Sequence, residues 1–94
     1  MKIIWTPETE LDRVEVWDEI AAESPRAAAR MDLLFSDAIA TLENLPRLGR
    51  EGKISGTREL IPHASYRVVY EIDEETVWIL ALVHTARIWP PVRD

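Results

Sequence analysis

Four side chains in the second half of the chain have the types that transesterification of RNA requires. His84 can act as general acid or base near neutral pH, and Arg58, Arg67 and Arg87 can stabilise the phosphorane-like charge. Arg67 lies within Tyr66-Arg67-Val68-Val69-Tyr70, where strand alternation puts Tyr66, Val68, Tyr70 and Ile72 on one face and Arg67, Val69 and Glu71 on the other. Arg67 is therefore expected to point away from the core. Arg58 falls in the preceding strand and can share that face, while Arg87 follows His84 just past a strand end. Each also has a plainer reading. Arg67 can pair with Glu59 or Glu71 across the sheet, and His84 can cap its strand through a backbone hydrogen bond. His63, in Pro62-His63-Ala64-Ser65, reads as a solvated turn residue.

Other chemistries find little support. The chain has no cysteine, so neither a thiol nucleophile nor a disulfide framework is available. Two histidines among dispersed acids make a poor metal-ligand set, and Gly49, Gly52 and Gly56 lack the spacing and following helix of a phosphate loop. No cofactor or metal is expected. Of the four tryptophans, Trp17 and Trp78 read as core packing, whereas Trp89, beside Pro90-Pro91, can fold over the sheet or meet a partner.

These side chains must be positioned by few elements. Ninety-four residues with 47% apolar content fit one domain, residues 1–94, burying roughly 60–65% of its unfolded surface. Lys2 to Trp5 is a short strand, placed at a sheet edge. Thr6-Pro7 and Ser24-Pro25 are two helix-start signals, each a capping hydroxyl followed by proline. The spacing predicts a first helix burying Leu11, Val14, Trp17, Ile20 and Ala21, and a second burying Ala27, Met31, Leu34, Phe35, Ala38, Leu42 and Leu45 up to Pro46. Pro46 to Gly56 is expected to be an exposed, mobile connection. Strands follow at Thr57 to Ile61, Tyr66 to Ile72 and Thr76 to His84. The last is apolar on both faces and so central, and Ile88-Trp89-Pro90-Pro91 ends the regular structure. The expected class is α+β: an N-terminal strand, an antiparallel two-helix hairpin, then a three-stranded antiparallel meander.

Charge narrows the partners. The net charge of −6 opposes general nucleic-acid binding. Its distribution is uneven: residues 1–45 hold four bases against ten acids, and residues 46–94 hold seven of each. The acidity thus belongs to the helical half, and a local positive site in the second half remains possible. No run is long enough for a membrane span and the N-terminus is no signal peptide, so a cytoplasmic protein is expected.

The element order, Leu45-Pro46, Gly49-Arg50, Gly56-Thr57-Arg58-Glu59-Leu60, Tyr66-Arg67-Val68-Val69-Tyr70 and Val83-His84-Thr85-Ala86-Arg87-Ile88-Trp89-Pro90 closely resemble the RelE/ParE superfamily of type II toxin–antitoxin toxins. The resemblance covers nearly the whole chain. It implies a small cytoplasmic bacterial toxin that arrests growth when free and is neutralised by a cognate antitoxin lying across the helices and sheet. RelE-like members cleave messenger RNA on the ribosome, and ParE-like members poison DNA gyrase. On the RelE pattern, Arg58, Arg67 and Arg87 occupy basic positions and His84 lies close to, not on, the histidine of some relatives. Leu60 stands where that pattern has a lysine, and its C-terminal tyrosine is missing. The resemblance therefore favours a ParE-like toxin, with an RNA-cleaving enzyme or an inactive antitoxin-binding relative as alternatives.

Overall fold

The computed structural model describes residues 1–87, 89 and 90. Strand β1 (Lys2–Trp5) leads into helices α1 (Pro7–Ala21) and α2 (Pro25–Ala40), and strands β2 (Arg50–Glu51), β3 (Thr57–His63), β4 (Tyr66–Asp73) and β5 (Thr76–His84) follow. Both expected helix starts are present. Thr6 accepts the N–H of Thr9 at 3.3 Å and Ser24 that of Ala27 at 3.1 Å, satisfying donors the helix itself leaves free.

The expected meander is β3-β4-β5, extended at both sides into a mixed sheet of order β1-β5-β4-β3-β2. β1 sits at one edge, parallel to β5. At the other edge the connection expected to be irregular contributes β2, which pairs with Arg58 and Glu59. Pro62 lies beyond the two residues of β3 that β2 covers, and against β4 it falls within the register shift between Leu60 and His63, an irregularity that tolerates its missing N–H. This lets β3 run on to His63 instead of stopping at Ile61. The part of Ile88-Trp89-Pro90-Pro91 at Ile88 and Pro91 lies outside the described residues.

A bulge in β5 sets the relation of sheet to helices. The register with β4 jumps from Val69↔Ala81 to Tyr70↔Ile79, leaving Leu80 unpaired. Val77, Ile79 and Leu82 consequently join Phe35, Ile39, Leu42, Tyr66, Val68 and Tyr70 under the helices, while Ala81 and Val83 pack with Val69 on the other face. The backbone groups loosened by the bulge are met by α1. Ile79 O accepts from Thr6 N at 3.1 Å, Thr6 Oγ1 at 2.8 Å and Thr9 Oγ1 at 2.7 Å, and Leu82 N donates to Asp12 at 3.0 Å.

This arrangement overturns the expected stripe of α1 at Leu11, Val14 and Trp17, while Ile20 packs against the core as expected. Its sheet side carries Thr9, Asp12, Val16 and Ile20, leaving Leu11, Val14 and Trp17 exposed at 64, 56 and 37%. The sheet side needs hydroxyl and carboxylate partners for β5, so the helix is turned to present them. In α2, Phe35 is buried as expected, but Ile39 replaces Leu34 in the core, and Leu34 and Leu45 are exposed. α2 also ends at Ala40, followed by a 3₁₀ turn over Thr41–Glu43 rather than continuing to Pro46. Arg13 ties the layers together, with Asp32 of α2 on its Nε and Nη2 at 2.6 and 2.8 Å and its guanidinium 4.6 Å from the Trp5 ring.

Candidate functional site

The four residues with RNA-cleaving potential are placed by the register of β3, β4 and β5. Arg58 pairs with Tyr70, and Glu59 with Val69. Arg58 therefore shares the face of Tyr70, the helix side, while Glu59 shares the opposite face with Arg67. This corrects the expectation that Arg58 and Arg67 lie together. His84 pairs with Tyr66 and stacks edge-on to it at 5.1 Å, which sets it on the helix side as well.

On the face away from the helices, Arg67 does point out of the main core as alternation requires, yet it is only 9% exposed. Its Nη1 donates to Glu59 Oε1 at 3.3 Å, and Glu59 is itself 2% exposed. Arg50 on β2 approaches the same carboxylate at 3.7 Å, and the Lys53 N–H donates to its other oxygen at 3.2 Å. Beside this pair Val69, Ala81 and Val83 form a small apolar cluster against which Leu80 and Trp89 pack. Trp89 thus folds back over the sheet. The cation that alternation aimed at solvent is neutralised and covered, with Arg67 Nε and Trp89 Nε1 buried without an acceptor among the described residues.

His84 and Arg87 meet elsewhere, in a cleft of about 20 Å³ with Asp12, Glu15, Glu19 and Tyr66. That volume holds roughly one water, far less than a nucleotide. His84 Nδ1 accepts the Ala86 N–H at 3.0 Å, the backbone capping considered from the sequence, and the Arg87 N–H donates to His84 O at 2.9 Å. His63 behaves alike toward Ser65. Burial pushes the Asp12 carboxyl above the ordinary carboxylate range, with Glu15 and Glu8 adding to it against the Leu82 N–H and Arg87. Burial likewise raises the Tyr66 hydroxyl, with Glu19 reinforcing it and Arg87 opposing.

Arg58 occupies a third place. Its Nη1 donates to the carbonyls of Gly49 at 2.7 Å and Arg47 at 3.3 Å, and with Arg47 it borders a cavity of about 480 Å³ that also includes Glu51, Ser55 and Glu74. Behind it Tyr70, fully buried, donates its hydroxyl to Pro46 O at 2.7 Å and accepts from Gly49 N at 2.9 Å. A Cβ on Gly49 would lie 2.7 Å from that oxygen, so only glycine fits beside it. Burial raises the Tyr70 hydroxyl despite the Gly49 N–H and Arg58, keeping it a neutral donor. The connection expected to be mobile is anchored by these bonds.

The comparisons with known proteins agree on one relationship. Residues 3–89 match the model of the ParE toxin of type II toxin–antitoxin systems, parDE. The chain belongs to the ParE toxin family. It is 34% identical to Y4kP of Sinorhizobium fredii, a toxin by inference, over 97% of this chain and 95% of that protein. Among solved structures, this ParE-family toxin is similar to a chain of the chromosomal ParDE system of P. aeruginosa, with a TM-score of 0.82, 17% identity, and coverage of 89% of this chain and 95% of that one. It is also similar to a chain of the RelBE2 toxin–antitoxin complex of Mycobacterium tuberculosis, with a TM-score of 0.61, 26% identity, and coverage of 88 and 95%. A YoeB/ParE toxin of Agrobacterium tumefaciens shares the fold at a TM-score of 0.65 and 23% identity, with 89 and 98% covered.

Sequence reasoning reached the family and anticipated Glu59 as one possible partner of Arg67. It missed the partners of the β5 bulge, Thr9 and Asp12, and the Tyr70 anchor. The signal for Thr9 and Asp12 was their position one and two turns after the Thr6 cap, on the side facing the sheet. Among the described residues no helix is long and apolar enough to cross a membrane.

Proposed function

We propose that this toxin of a type II toxin–antitoxin system arrests bacterial growth from the cytoplasm by acting on a protein, DNA gyrase, rather than by cutting messenger RNA. The observation that carries this reading is the state of Arg67. A cation buried in an ion pair with Glu59 has lost the exposure that contact with a phosphate requires, and Arg58, His84 and Arg87 are spread over two other places. The net charge of −6 works in the same direction, since an enzyme acting on ribosome-bound message must approach a polyanion. The RelE-type alternative, an endoribonuclease using Arg58, Arg67, His84 and Arg87, draws on the Tyr66-Arg67 motif and on the 26% identity with the RelBE2 chain. It would require the Arg67–Glu59 pair to open.

The proposed partner is a cognate antitoxin, as in the ParDE system and the RelBE2 complex named above. The outward row Leu11, Val14 and Trp17 on an acidic helical half suits an amphipathic antitoxin segment with basic flanks, laid beside the Arg13–Asp32 pair. Expression of the chain alone is expected to arrest growth with messenger intact, and co-expression of the neighbouring gene to relieve it. Trp17→Ser is expected to keep the arrest and escape the relief. Normal growth at verified soluble expression would remove the toxin reading and leave an inactive antitoxin-binding relative.

A further inference from the structure

The connection between α2 and β3 combines features that ordinary surface loops do not. Leu45 and Leu48 are 57 and 55% exposed, and with Asn44, Pro46 and Arg47 they line a shallow cleft of about 380 Å³. Isolated exposed leucines are common, but two in one cleft on an immobilised backbone are not explained by chance exposure. The immobilisation is specific. Tyr70 holds Pro46 and Gly49, Arg58 holds the carbonyls of Arg47 and Gly49, and the Leu48 N–H closes a turn onto Leu45 O at 3.1 Å. The backbone is held while the side chains of Leu45, Arg47 and Leu48 project, so little backbone entropy remains to be lost on binding.

Charge identifies the occupant. Residues 45–58 carry four bases (Arg47, Arg50, Lys53 and Arg58) and one acid, Glu51, in a chain of net −6. Arg58 is bonded to carbonyls, which leave its charge in place, and among the described residues no carboxylate lies within ion-pair distance of Arg47, Lys53 or Arg58. Arg47 borders both the leucine cleft and the larger cavity beside Arg58. Nucleic acid fits this surface poorly, because residues 45–58 contain no aromatic side chain for base stacking and the leucines offer nothing to a phosphate. The helical row assigned above to the antitoxin has the opposite complement, apolar among acids.

We infer that the Leu45–Lys53 connection is a preformed docking surface for an apolar patch rimmed by carboxylates on the toxin's protein target. The inference rests on the protein-target reading above. Leu45 and Leu48 enter the apolar patch, and Arg47, which borders the same cleft, faces its acidic rim.

The test compares the full-length wild type with Leu45→Ser/Leu48→Ser and with Arg47→Glu, following growth arrest at matched expression and antitoxin binding with purified proteins. Both changes alter exposed side chains, and thermal melts are expected to match wild type. Each variant is expected to need roughly tenfold or more protein for the same arrest, the loss that follows removal of a central anchor. Antitoxin binding should be unchanged, and Leu45→Met/Leu48→Met should restore the arrest. Wild-type arrest shared equally by both variants overturns the docking surface and leaves the protein-target reading intact. Arrest that survives loss of the leucines but not Arg47→Glu points to a nucleic-acid contact and also overturns it. Loss of antitoxin binding with arrest kept assigns the surface to the antitoxin instead, and loss of both together marks damage to the fold and likewise overturns the docking surface. A wild type that arrests nothing removes the protein-target reading, and the docking surface with it.

Discussion

Arg67 belongs to the Tyr66-Arg67 motif, yet its guanidinium is buried against Glu59. Its guanidinium faces Glu59 in a site where both are about nine-tenths or more buried, so loss of Arg67 leaves a buried carboxylate with only the exposed Arg50 at 3.7 Å and the Lys53 N–H at 3.2 Å beside it. Arg67→Ala is expected to lower unfolding stability by about 3–5 kcal/mol, measured by chemical denaturation. An exposed arginine would cost at most about 1 kcal/mol, and a loss that small would contradict the buried pairing. Asp12 gives a second test, with an unusual sign. Burial raises its carboxyl in the folded state, so the fold binds its proton more tightly than the unfolded chain does. Its contribution is present at acid pH and is lost as pH rises from the ordinary carboxylate range through the raised value. Asp12→Asn keeps an acceptor for the Leu82 N–H, and it is expected to equal or exceed wild type in melting temperature at pH 7. That advantage should shrink as pH falls toward 4, with Glu8, Glu15 and Arg87 present in both proteins.

At the scale of elements, the bulge in β5 decides the orientation of α1, and through it which side chains remain for a partner. Thr9 is fully buried with its hydroxyl on Ile79 O. Thr9→Val keeps the shape and removes the donor, and is expected to destabilise by about 1–3 kcal/mol in denaturant unfolding. A neutral result would show that Thr6 alone satisfies that carbonyl. The element order was readable because the signals were local: two hydroxyl-proline helix starts, the alternation from Tyr66 to Ile72, and a strand apolar on both faces. The face of α1 was not readable. Leu11, Val14 and Trp17 recur at helical spacing just as Thr9, Asp12, Val16 and Ile20 do, and hydrophobicity alone selects the first set. What selects the second is the hydrogen-bonding demand of a bulge some seventy residues away, which no window along the chain contains. The candidate site was legible only in part for the same reason. Strand parity placed Arg67 correctly on the face away from the core, but the relative register of β3 and β4 decided that Glu59, and not Arg58, would be beside it.

For the whole molecule, the uneven charge distinguishes two of its exposed apolar regions, which the proposals above give to different partners. The acidic helical half presents Leu11, Val14 and Trp17, and the basic connection presents Leu45 and Leu48. On the sheet face away from the helices, Arg67 is paired with Glu59 and Trp89 packs on Val69, Ala81 and Val83. On the proposed reading, a toxin so arranged acts by occupying a protein surface. The measurement that bears most directly on this is a gyrase supercoiling reaction run beside a ribosome-programmed messenger cleavage reaction, both with the purified chain. Inhibited supercoiling with intact messenger is the expected result. Cleaved messenger, lost in Arg67→Lys while supercoiling proceeds unaffected, would contradict the account.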